Sequence, residues 1–246
     1  MSDDKRIPDF QLRSRQQRVK PVYHFLFLNP RYKVIIIVVV IVVCFWGHVL
    51  RAQEIHEAAK SGDIPKLRTL LSDESDINAK GEHNWTPLHL AAMNCRKETV
   101  EFLIEKGADV NAKSVAGYTP LHSAVAKGCK CVVKLLLIGG SEIDAKGPMG
   151  MSPLHLAASG DWKDIVEFLL SKGAAINAKD DFGNTSLHWA VRKDLRNVVA
   201  MLLTKGANVS LKNDVGTRPI DVAASRGNKE IMDLLRRHET SVRENR

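Results

Sequence analysis

Cysteine is scarce in this chain. Its 246 residues hold four, Cys44, Cys95, Cys129 and Cys131, too few and too unevenly spaced to form the disulfide framework of a small secreted domain. Cys129 and Cys131 make a C-x-C pair. They have neither the C-x-x-C spacing of redox helices nor a second pair to complete a zinc site, so they read as packing or surface thiols. A charge of one sign is missing from most of the chain too. The formal net charge is +8, but residues 1–52 carry nine Lys or Arg against three Asp, which leaves only +2 for residues 53–246. Acids and bases are interspersed there, so no basic face that would track a phosphate backbone is expected, and nucleic acid is excluded as a partner. A phosphate loop, a zinc-protease motif and a nucleophile elbow are all absent. The expectation is a protein that is not an enzyme, with no cofactor, no metal and no small-molecule substrate.

What is present begins with one uninterrupted apolar run. From Val34 to Leu50, seventeen residues between Lys33 and Arg51, only His48 is polar. As a helix this run would be about 26 Å long at 1.5 Å per residue, just short of the ~30 Å hydrocarbon core. With flanking residues snorkelling it is a short but sufficient single transmembrane helix, and Tyr32 and Trp46 fall where an interfacial belt would place them. A buried strand is the competing reading, because Val and Ile are strand formers. Neither the polar arm before the run nor the segment after it needs such a strand. Residues 1–33 read as a basic, largely disordered tail, with an aromatic stretch at 21–28 that would lie on a membrane surface. A cleaved signal peptide is the alternative. It is disfavoured by the long region ahead of the apolar run and by a poor cleavage site at Leu50-Arg51-Ala52. Within twenty residues of the span, the N-terminal side carries five Lys or Arg and the other side four. The positive-inside rule therefore leans towards a cytoplasmic N-terminus with the remainder on the opposite side.

The strongest pattern is a repeat. Thr86-Pro-Leu-His-Leu-Ala-Ala92, Thr119-Pro-Leu-His-Ser-Ala-Val125, Ser152-Pro-Leu-His-Leu-Ala-Ala158, Thr185-Ser-Leu-His-Trp-Ala-Val191 and Arg218-Pro-Ile-Asp-Val-Ala-Ala224 start 33 residues apart every time, and Gln53-Glu-Ile-His-Glu-Ala-Ala59 lies one period earlier. In each unit a Thr or Ser can cap a first helix, Pro sits in its first turn, and small Ala residues allow close helix approach. A second apolar stripe such as Lys163-Asp-Ile-Val-Glu-Phe-Leu-Leu170 ends at a glycine (Gly107, Gly173 or Gly206) suited to a left-handed cap. A loop holding Gly117, Gly150, Gly183 or Gly216 then leads to the next unit. A pair of short helices cannot bury enough apolar surface alone, so neighbours must stack and the ends must be modified. Both ends are atypical: the first unit has Gln53-Glu54 in place of Thr-Pro and a Pro65 read as a kink, and the last has Asp221 in place of His.

This period and the T-P-L-H-x-A string resemble the ankyrin-repeat family. The resemblance covers residues 53–239 and implies an all-α solenoid of six repeats, 53–85, 86–118, 119–151, 152–184, 185–217 and 218–239, followed by a polar tail at 240–246. It implies that His89, His122, His155 and His188 brace loops; a recurring residue is translated along the stack and does not converge on a catalytic centre. It also implies a protein partner docking on the finger tips and on the exposed side of the first helices. The tip positions here are Glu82, His83 and Trp85; Val115, Ala116 and Tyr118; Pro148, Met149 and Met151; and Asp181, Phe182 and Asn184. The first-helix positions are Met93, Asn94, Ala126, Lys127, Ser159, Arg192 and Lys193. Apolar and aromatic side chains at positions the fold does not require are what interface cores are enriched in. Packing of Trp85 and Tyr118 across neighbouring loops is the competing reading. Trp189 is expected in the core and Trp162 at the outer rim. Three Asn-x-Ser/Thr triplets, at Asn84, Asn184 and Asn208, lie at repeat-consensus positions and read as coincidental. The resulting expectation is a membrane-tethered scaffold, receptor or inhibitor that binds protein. An exported soluble protein and a regulatory subunit of an enzyme are the alternatives.

Overall fold

The computed structural model describes residues 30–71 and 77–244; the predicted tail and the aromatic stretch at 21–28 lie outside them. Among the described residues there are twelve α-helices and no strand. The chain divides into two units, 1–50 and 51–246. Helix α1, Pro30–Ser61, contains the apolar run. Among the described residues no helix is long and apolar enough to cross a membrane. The expected span lies within α1, and its side chains at 35–37, 43–45 and 48 are outside the described residues.

The second unit is a stack of helix pairs. The first pair is the end of α1 with α2 (Ile64–Leu70), followed by α3 (Pro87–Met93) with α4 (Lys97–Glu105) and α5 (Pro120–Ala126) with α6 (Lys130–Ile138). Then come α7 (Pro153–Ser159) with α8 (Lys163–Ser171), α9 (Ser186–Arg192) with α10 (Arg196–Thr204), and α11 (Pro219–Ser225) with α12 (Lys229–Glu244). The first helices α3, α5, α7, α9 and α11 pack side by side in one row and the second helices in another. One continuous core runs between the rows. Leu88, Leu121, Leu154 and Leu187 repeat in it from the first helices, and Leu103, Leu136, Leu169 and Leu202 from the second. Two readings at the ends change. Pro65 occupies the first turn of α2, after the Asp63 cap, where no helical amide partner is lost, so it starts the helix without a kink. The tail expected at 240–246 is helical as far as Glu244, because α12 continues past the last packed turn.

Short helices that cannot stand alone are tied to their neighbours by hydrogen bonds that repeat with the period. In α3, α5, α7 and α9 the histidine Nδ1 accepts the backbone N–H of the capping Thr or Ser, at 3.1–3.3 Å. Its Nε2 donates to the carbonyl 29 residues on: Tyr118 at 2.9 Å, and Met151, Asn184 and Thr217 at 3.1 Å each. His56 extends this ladder to the Trp85 carbonyl. Each of the four rings in α3, α5, α7 and α9 thus closes its own helix cap and holds the loop of the next repeat. The last repeat has no further loop to hold, and there Asp221 accepts only the backbone N–H and guanidinium of Arg218. A second ladder runs from Asn78, Asn111, Asp144 and Asn177, whose side-chain oxygens accept the amides of Asp109, Glu142, Ala175 and Asn208. The four recurring histidines are buried, and burial pushes each imidazole below its ordinary value, His122 to about 4. They are neutral braces.

Candidate protein-binding face

Each finger is a five-residue loop whose first N–H donates to the carbonyl of its last residue: Gly81 to Trp85, Ser114 to Tyr118, Gly147 to Met151, Asp180 to Asn184 and Asn213 to Thr217, at 2.8–3.0 Å. Closing so short a loop requires a left-handed residue before the last position, and Asn84, Gly117, Gly150, Gly183 and Gly216 supply it with φ between 60° and 84°. The fingers are also joined to one another. Val115 N–H donates to the His83 carbonyl at 2.8 Å, Asp181 to Met149 at 3.0 Å, and Asp214 to Phe182 at 3.1 Å. Pro148 has no N–H, so the second and third fingers lack this bond.

A tip held in this way turns specific side chains outwards. Val115 is 70% exposed, Met149 51%, Phe182 54% and Val215 84%, while Glu82, His83, Ala116 and Asp181 are exposed polar or small neighbours. Val215 was not among the residues singled out from the sequence. It lies one period after Phe182, and that register alone could have identified it. The last finger position behaves differently, because its carbonyl is the one the histidine holds, and this turns the side chain towards the stack. Met151 is only 4% exposed and Asn184 is buried, so neither can meet a partner, which corrects the sequence expectation for both. Trp85 and Tyr118 share this position and are half-buried. Their ring centroids are 6.3 Å apart, with Trp85 against His89 and Tyr118 edge-on to His122. Packing between fingers accounts for much of their surface.

Along the first helices, Lys127, Ala126, Arg192 and Lys193 are exposed, and Met93, Asn94 and Ser159 are half-buried. Asn94 is partly occupied in capping α3, donating to the Leu90 carbonyl. The segments 86–94, 119–127, 152–160 and 185–193 contain no acid at all, so the charges on the four central first helices are all cationic; Asp221 lies on the fifth. Trp189 is not in the core as expected. It is half-buried beside this row, its indole N–H donates to Asp180 at 2.9 Å, and the Arg192 guanidinium lies 5.5 Å from the ring centre. Asp180, buried at the base of its finger, also accepts the amides of Phe182 and Asn184, so one carboxylate fixes both the Phe182 tip and the Trp189 ring. Trp162 does lie at the rim, partly exposed at the start of α8. Among the described residues no group of three His, Cys, Asp or Glu could hold a metal ion.

The model of the family described as ankyrin repeats (3 copies) matches residues 55–147 and 128–213. The chain belongs to the ankyrin-repeat family. Over 53 residues, 21% of the chain, it is 42% identical to the NF-kappa-B inhibitor cactus of Drosophila yakuba and equally to that of Drosophila melanogaster. Those 53 residues span 11% of the length of each relative. Ankyrin repeats are protein–protein interaction modules, and the fold and exposed register of this chain are those of such a module.

Proposed function

We propose that this chain is a membrane-tethered protein-binding module whose ankyrin finger tips and first-helix row grip a protein partner and hold it at the membrane, with no turnover of its own. The observation that carries the reading is the row Met149, Phe182 and Val215 at one repeat position, with Val115 beside the equivalent Ala116: four large apolar side chains, exposed at 51–84%, that neither the core nor the inter-repeat ladders use. Such a row, flanked by Lys127, Arg192 and Lys193, has the apolar centre and charged surroundings of an interface. The relatives are named as inhibitors. The shared segment is short, so it supports protein binding as the class of activity and names no partner for this chain.

The tether rests on α1. Nine of its apolar side chains, among them Val38, Ile41, Trp46 and Leu50, are each 46–62% exposed. Covering that surface with hydrocarbon would contribute on the order of 10 kcal/mol. The five-to-four excess of Lys and Arg on the N-terminal side orients the repeats away from the cytoplasm. A tether of this kind confines the partner to the membrane surface and raises its effective concentration there.

Photo-cross-linking tests the face directly. A photoreactive residue at position 149 or 182 in the full chain should give adducts in cells, whereas the same residue at Glu101, exposed on the second-helix row, should not. Met149→Asp with Phe182→Asp should abolish the adducts formed from position 115. Equal adducts from position 101 would remove the proposed face, and extraction of the chain from membranes by alkaline carbonate would remove the tether.

A further inference from the structure

Cys95 and Cys129 are joined by a disulfide, which the sequence reading did not anticipate. At Gly62, Cys95, Gly128 and Asp194 the turn between paired helices faces the residue 34 positions later, at the start of the next repeat's second helix. A methyl group at Gly62 would lie 3.2 Å from the Arg96 side chain, and one at Gly128 would lie 2.6 Å from the Trp162 ring. Asp194 accepts a hydrogen bond from Asn228 at 3.0 Å. The register is therefore a general point of contact between neighbouring repeats, and at the junction of the second and third repeats it brings two thiols together. Their Cα atoms are 5.4 Å apart, the separation that a disulfide spans without backbone movement. Conformation gives no other reason for cysteine there. Cys95 is held at φ +55°, where the equivalent turns use Gly128, Asp161, Asp194 and Gly227, residue types that tolerate the left-handed region better.

We infer that the repeats mature in an oxidising compartment, where Cys95 and Cys129 are cross-linked into a staple between the second and third repeats. Disulfides form and persist outside reducing cytoplasm, so the bridge places the repeats on the side to which the basic N-terminal flank also assigns them. Only that assignment of a membrane side rests on the tethered reading; the bridge itself does not. Cys95 is exposed and Cys129 buried, so Cys95 is the sulfur that an external oxidant reaches. Its thiolate attacks a disulfide RSSR, forming a mixed disulfide and releasing one RSH. The Cys129 thiolate then attacks the Cys95 sulfur and displaces the second RSH. Two protein thiols are oxidised to one disulfide, and the oxidant's disulfide is reduced to two thiols. Cys131, free and exposed two residues away, is left as a thiol and serves as an internal reference.

The test is maleimide labelling of the tagged full-length chain from its native cells, quenched in acid and denatured before labelling, with each cysteine read by mass spectrometry. The expected result is label on Cys131, none on Cys95 or Cys129, a linked peptide containing both, and a gain of two labels on reduction. Cys95→Ser should transfer label to Cys129, and because the chain is denatured before labelling this readout does not depend on the variant's stability. Full labelling of Cys95 and Cys129 without reduction would overturn the inference. The same lysate, divided into membrane and soluble fractions, separates the two readings: a bridged chain in the soluble fraction defeats the tether alone, and a membrane-bound chain with free thiols defeats the staple alone.

Discussion

Mild acid should loosen the repeats through their buried histidines. In the folded chain His122 is neutral, its Nε2 proton donated to the Met151 carbonyl and its bare Nδ1 accepting the Thr119 amide, with no exposed surface. Adding a proton at Nδ1 would both charge a buried ring and turn an acceptor against an N–H donor. Desolvation is the largest cause of the resulting fall, from 6.5 to about 4. The unfolded chain takes up that proton near pH 6.5, so between pH 6.5 and about 4 it binds more protons than the folded one. Stability is complete above pH 6.5 and is lost as pH falls through this window. A fall of that size corresponds to roughly 3 kcal/mol for His122. His89, His155 and His188 are lowered for the same reason and add to it. Asp194 and Asp221, lowered by their arginine partners, titrate below 3.8 and so fall outside the window. The assay is urea unfolding of the full chain in detergent, followed by helical circular dichroism from pH 7.5 to 4.5. With a slope of about 2–3 kcal/mol per molar urea, the His122 share alone moves the midpoint down by roughly 1 M or more. The His122→Gln variant, neutral throughout, should lose that share of the pH dependence. A midpoint that is flat across the window, or the same pH dependence in the glutamine variant, would refute the account of the histidines as neutral braces.

Two further changes probe the packing. Ser186 stands where four other repeats have Pro87, Pro120, Pro153 and Pro219, and its buried hydroxyl has no hydrogen-bond partner. The preceding Thr185 is already extended, at φ −93° and ψ 169°, as a residue before proline must be. Ser186→Pro should therefore stabilise by about 1 kcal/mol and raise Tm by a few degrees, and a lower Tm would contradict the reading. Gly128→Ala should destabilise by roughly 2–4 kcal/mol, because its φ of +70° is strained for alanine and its new methyl group would lie 2.6 Å from the Trp162 ring. In a Trp162→Ala background the same change should cost distinctly less. Equal losses in the two backgrounds would show that the steric clash is not the cause.

The repeat, its 33-residue period and its caps are legible in the sequence, because each expresses a local requirement that recurs; at the ends, Pro65 and the stretch at 240–244 turned out otherwise. A Thr or Ser cap, a proline in the first turn and a residue tolerant of the left-handed region, usually glycine, recur where the chain makes the same bend, with Arg218, Ser186 and Cys95 as departures. The histidine ladder was expected from family resemblance, and its geometry explains why the residue recurs: one ring joins two successive repeats. Most of the exposed tip residues of the proposed face were also within reach, since a position that the fold leaves unused shows itself as a departure from the repeated pattern. Val215 follows from the same register.

What sequence spacing could not decide is the direction in which a side chain turns. Met149 and Met151 are two residues apart in the same finger, yet one points into water and the other is buried, because only the carbonyl of Met151 is drawn in by His122. Trp189 looked like core and is instead held in the first-helix row by Asp180, nine residues earlier. The pairing of Cys95 with Cys129 is of the same kind. Their 34-residue separation exceeds the period by one, so a comparison made at the repeat spacing passes over it. The sequence determined the unit and its number of copies because those depend on local backbone chemistry. The tertiary stack decided which residues of adjacent units meet, because that depends on the offset between one repeat and the next.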